Sequence, residues 1–118
     1  MTTFDMEERE HVEPRLRLVE MSGELDLTNT HDLEARLEEL PDDDSILVLD
    51  LNRVVFVDSA ALHVLFRVAR ARGPERFGLV LEPTAAIART LEIVGLPKVV
   101  TTRPSADEVL EAVMPALH

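Results

Sequence analysis

The chain has 118 residues, 46% of them apolar, and a formal net charge of −11. That length suits one packed domain rather than two, and the apolar share excludes a disordered chain. The charge sets aside non-specific nucleic-acid binding and anionic membrane surfaces, which both require a basic face, and favours a partner with a basic docking surface.

No cysteine is present, so disulfides and thiolate metal sites are excluded. Trp and Tyr are absent as well, which argues against a stacking platform for bases or sugars. Met1 to Glu8 has neither the basic region nor the apolar core of an export signal, and no apolar run approaches the roughly 20 residues of a membrane span. A cytoplasmic location is expected.

Residues 4 to 8 alternate apolar and polar side chains and predict an edge strand. His11 to Pro14 reads as a turn. Arg15 to Met21 predicts a strand ending at Ser22-Gly23 and pairing antiparallel with the first. Thr28, Asn29 and Thr30 are candidate caps for a helix carrying Leu33, Leu37 and Leu40, stopped at Pro41. Asp42-Asp43-Asp44 reads as a solvated loop, since it lacks the glycine and distal glutamate of a calcium loop. Ile46 to Leu49 is apolar without a break, as in a strand buried on both faces. Asn52-Arg53 suggests a turn before a short extended piece, Val54 to Val57. A helix is expected from Ser59 to about Arg72, closed by Gly73-Pro74, followed by a buried strand from Phe77 to Leu81. Pro83-Thr84 opens a helix with Ile87, Leu91 and Val94 inward and Gly95 at its end. Lys98 to Thr102 reads as a last strand. Ser105-Ala106-Asp107-Glu108 is a capping box for a final helix with Val109, Leu110, Val113 and Met114 inward, frayed by Pro115. The order β-β-α-β-α-β-α-β-α predicts an α/β fold. Its single mixed sheet has an antiparallel first pair, then parallel β-α units, with about four helices.

The densest signal lies at Phe56 to Leu65. Leu62, Leu65, Phe66 and Ala69 follow helix spacing, Asp58 suits the N-cap, and Ser59 takes the first helical position. The positive end of a helix favours an anion, yet Asp58 would repel a phosphate on Ser59. One modification there would change the surface sharply. In such sheets functional groups gather where strand ends meet helix starts, which also brings Asp26 close.

Three segments carry a family resemblance. Ser22-Gly23-Glu24-Leu25-Asp26 resembles the SGELD segment of STAS domains. Asp50-Leu51 with Val55-Phe56-Val57-Asp58-Ser59 resembles their DL…FMDSSGLG segment, and Leu91 to Leu96 their late L…SGL element. The match is in register from about residue 4 to 114, implying a single STAS domain over residues 1–118. A lone acidic domain of this length most resembles anti-sigma factor antagonists. The resemblance implies that the chain binds an anti-sigma factor that is also a serine kinase and so frees a sigma factor. Phosphorylation at the position of Ser59 ends binding, and a serine phosphatase resets the cycle. Partner-binding positions are then Asp26, Asp58, Ala60, Ala61 and His63, with no cofactor, no metal, no nucleic acid and no membrane involved.

The chain departs from the pattern at Ala60, which leaves Ser59 as the only hydroxyl of the junction, and at Ala61 and His63, which replace glycines. His63 reads first as a solvent-facing helix residue, and alternatively as a contact for a phosphorylated Ser59 or for the kinase. Ser59 also suits simple helix capping, and the whole-chain resemblance is what favours a phosphoacceptor. The alternatives are a non-phosphorylated STAS adaptor in a stress-signalling or lipid-transport complex and, from another class, a phospho-aspartate receiver. The receiver would use Asp50 and Lys98, but Lys98 precedes its strand and no acidic pair follows the early one. Catalysis is not expected. Asp58, Ser59 and His63 are local neighbours without a nucleophile elbow, and His11, His31, His63 and His118 lack metal-ligand spacing.

Overall fold

The computed structural model describes residues 3–41 and 43–114. Its elements are β1 (Phe4–Arg9), β2 (Leu16–Leu25), α1 (Thr30–Glu38), β3 (Ile46–Val57), α2 (Ser59–Arg72), β4 (Phe77–Val80), α3 (Ala88–Val94), α4 (Leu96–Val99), β5 (Thr102–Arg103) and α5 (Ala106–Val113). One five-stranded sheet runs in the order β1-β2-β3-β4-β5. β1 pairs antiparallel with β2, and the remaining pairs are parallel. The expected mixed α/β architecture is present, with five helices among the described residues.

The parallel crossovers all step the same way along the sheet. Right-handed connections then place their helices on one face, and the packing follows that rule. Val19, Met21, Leu47, Leu49, Leu51 and Leu79 point to a large core closed by Leu33 and Leu37 of α1, Ala61, Leu62, Val64 and Leu65 of α2, and Leu91 of α3. Among the described residues the opposite face is covered only by α5, whose Val109, Leu110 and Val113 meet Leu16, Ile46, Val48 and Val80. β3 is therefore buried on both sides over its first half, as its unbroken apolar run requires. Near the β1 edge, ion pairs join Arg9 to Glu7 and Glu20, and Arg53 to Glu20.

Several boundaries differ from the expectation. β2 does not stop at Ser22-Gly23 but continues to Leu25. Gly23 takes φ +95°, and any Cβ there would collide with the Thr3 carbonyl, so the glycine serves close strand packing rather than a turn. Asn52-Arg53 is not a turn. β3 is continuous, and its register against β2 slips where Glu20 and Ser22 face Asp50 and Arg53, and again where Gly23 and Glu24 face Val54 and Phe56. Each slip inserts one extra β3 residue, a bulge that absorbs the polar pair. Pro83-Thr84 lies in a turn, α3 starts only at Ala88, and Val94 is exposed. The strand expected at Lys98 to Thr102 is replaced by the single helical turn α4. Gly95 starts it at φ +79°, and β5 is reduced to Thr102–Arg103. The Ser105 cap of α5 is present: the Glu108 amide donates to Ser105 Oγ (3.2 Å), but Glu108 accepts from that hydroxyl (2.8 Å) and not from the Ser105 amide as in a full capping box. Asp42 and Pro115 lie outside the described residues.

Candidate functional site

The C-terminal ends of β2 and β3 lie side by side, with Leu25 opposite Val57. Both strands pass into helices at this edge, where crevices form in parallel sheets. The Asp58 amide donates to the Leu25 carbonyl at 3.2 Å, which ties the strand ends together. Asp58 itself is extended (φ −111°, ψ −178°), as an N-cap residue should be. One carboxylate oxygen accepts from the Ala61 amide at 3.1 Å and caps α2. The other accepts from the Leu27 amide at 2.9 Å and fastens the loop between β2 and α1. A single side chain thus joins segments 31 residues apart.

That loop is held from within as well. The Asp26 carboxylate accepts from the Thr28 amide (2.9 Å) and from the Thr28 hydroxyl. Asn29, expected as a possible cap, is buried and does not cap α1 with its side chain. Its amide group donates to the Glu24 carbonyl (2.8 Å), and its oxygen accepts from the Asp26 amide (3.0 Å). These bonds present Leu27 with 74% of its surface exposed. Phe56, three residues before Ser59, is 47% exposed. Fixed apolar side chains in water are a feature of contact surfaces.

Ser59 is the first residue of α2 and is exposed. Among the described residues its hydroxyl has no hydrogen-bond partner, and it lies at the positive end of the helix dipole. Ala60 is half-buried and His63 is exposed on the next turn. Arg67, one further turn on, pairs with Glu34 at 2.7 Å. Ala61, expected among the partner-binding positions, is fully buried in the main core. Its contribution to this edge is the amide that Asp58 caps.

The arrangement does not form a catalytic triad: no hydrogen bond joins Ser59 to His63 among the described residues, and both Asp58 oxygens face backbone amides. Among those residues no group of three or more His, Asp or Glu could hold a metal ion. No described helix is long and apolar enough to cross a membrane.

A family model for the STAS domain matches residues 3–109. The chain belongs to the STAS domain family. Among solved structures, this STAS domain is similar to an anti-sigma factor antagonist from Mycobacterium paratuberculosis. Their identity is 30%, the TM-score is 0.79, and 94% of each chain is covered. A putative anti-sigma factor antagonist from Thermotoga maritima shares the fold at 18% identity and TM-score 0.67, over 92% of this chain and 93% of that one. A sulfate transporter family protein from Wolinella succinogenes does so at 15% identity and TM-score 0.68, over 92% of each. The STAS domain therefore resembles anti-sigma factor antagonists in fold and, for the mycobacterial protein, in sequence.

Leu27 is barely marked in the sequence. The only available signal was one large apolar residue between Asp26 and Thr28, inside a run of turn and cap formers.

Proposed function

We propose that this STAS domain is an anti-sigma factor antagonist whose docking surface is the edge formed by Asp26, Leu27, Asp58, Ser59, Ala60 and His63. It binds an anti-sigma factor that is also a serine kinase, and the sigma factor held by that kinase is released. Phosphorylation of Ser59 ends the interaction, and a serine phosphatase restores it. The observation that carries this reading is the exposed Ser59 hydroxyl at the start of α2, beside a carboxylate and an ordered apolar loop. The similarity to the mycobacterial antagonist supports the partner class.

The chemistry is direct. Unmodified, the edge combines a small hydroxyl with exposed Leu27, and a close apolar contact costs little desolvation. A phosphoserine adds about −1.5 to −2 charge next to Asp58. Both Asp58 oxygens already serve amides, so that carboxylate cannot turn away without uncapping α2. Desolvating two adjacent anions in an interface penalises binding, and about 1.4 kcal/mol is enough for each tenfold of affinity. The reading places the protein in the cytoplasm and assigns it no catalysis of its own.

Isothermal titration against the cognate anti-sigma kinase tests it. Ser59→Ala should bind as the unmodified protein does, and Ser59→Asp should bind at least tenfold more weakly. Equal affinity of the two variants removes the switch.

A further inference from the structure

At the far end of α2 lies a cleft of about 490 Å³ between that helix, the start of β4 and the segment after α4. Its volume falls within the roughly 300–1,000 Å³ of small-molecule sites. Phe66, Phe77, Val99 and Val100 supply apolar walls, and Val99 keeps 67% of its surface exposed. In a chain with 23 acidic residues, no carboxylate of the described residues lines the cleft. Its one charged group among the described residues is Arg70, and Thr101 adds a hydroxyl.

The arginines of α2 differ in what they do. Arg67 is paired with Glu34, and Arg72 donates to the Pro41 carbonyl. Arg70 is exposed and has no ion pair or hydrogen bond among the described residues. An uncommitted cation at the rim of an apolar cleft free of anions matches a ligand with an anionic head and a hydrocarbon body. Arg70 lies eleven residues beyond Ser59 on the same helix, about 16 Å along its axis, so this site is separate from the proposed switch.

We infer that this cleft binds a single-chain aliphatic carboxylate, its alkyl chain against Phe66, Phe77 and Val99 and its carboxylate on the Arg70 guanidinium. The guanidinium suits a carboxylate because its paired N–H groups match both oxygens.

The test is a titration of the ¹⁵N-labelled full chain with octanoate, decanoate and dodecanoate below their micelle concentrations. Decyltrimethylammonium and phosphatidylglycerol vesicles are run in parallel. Decanoate should shift the Gly73, Val99, Val100 and Thr101 amides saturably. Affinity should rise about two- to fourfold per added methylene, as expected for a half-open apolar site. Arg70→Gln should weaken decanoate binding about tenfold. Val99→Glu, a change at an exposed position, should abolish it while the remaining amide spectrum is retained. The proposal is overturned if decanoate leaves those amides unmoved, if the cationic amphiphile binds equally well, or if Arg70→Gln binds like the parent. A response to vesicles without a response to decanoate overturns it as well. Repeating the titration with Ser59→Asp should give the same affinity, and a loss there would refute the independence of the two sites.

Discussion

Asp58 is the most exacting test of the site's construction. Replacing it with alanine removes two acceptors at once. Loss of an N-cap costs about 1 kcal/mol, here the bond to the Ala61 amide. The bond to the Leu27 amide also has a carboxylate acceptor, and such bonds contribute about 1.5–3 kcal/mol. The lower end applies, because Leu27 is exposed and water can reach its amide once the carboxylate is gone. The expected loss is about 2–3 kcal/mol. In a chain of this size that lowers Tm by about 8–12 °C. Asp58→Asn keeps one acceptor and should lose about half as much. Thermal and urea denaturation followed by circular dichroism measures the total. Amide hydrogen exchange assigns it, since Leu27 and Ala61 should both exchange faster in Asp58→Ala. A loss below about 0.5 kcal/mol, or unaltered exchange at Leu27, refutes the shared-carboxylate description.

Further tests address the second face of the sheet. A Cβ on Gly78 would come 2.5 Å from Val109 Cγ1, so Gly78→Ala should destabilise by about 1–3 kcal/mol through overpacking against α5. Adding Val109→Ala should restore part of that loss, and urea denaturation of the double-mutant cycle would detect the coupling. Ser105→Ala removes the α5 cap and should cost about 1 kcal/mol in the same assay; no change would remove the cap from the account of α5.

The Asp58-Ser59 junction was legible because its causes are local. A cap residue, a helix stripe and a closing Gly73 lie within sixteen residues, and each acts on its own neighbourhood. The Ser105 cap was legible for the same reason. What could not be read depended on distant partners. Asn52-Arg53 has the composition of a turn, yet it lies in a strand because β3 bulges twice against β2. There the Glu82 amide donates to the Asn52 carboxamide oxygen at 2.7 Å. Asn29 resembles a cap, but its amide group is taken by the Glu24 carbonyl. Leu96-Pro97-Lys98-Val99 is too short to show a period, and left-handed Gly95 with Pro97 just after it decides for a helical turn. The bond from the Leu27 amide to Asp58 crosses from one β-α connection to the next. No periodicity reveals such a link.

The unbroken strand order carries a consequence for how the molecule is made. Every strand after the first docks beside the one synthesised just before it. During translation the nascent chain can grow by accretion, adding each new layer to a finished flank without prising an earlier pairing apart. The exception is the face beneath α5, which stays open until that helix has been made. A stalled ribosome would hold a half-clad intermediate with Ile46, Val48 and Val80 uncovered, the species that chaperones would be expected to shield.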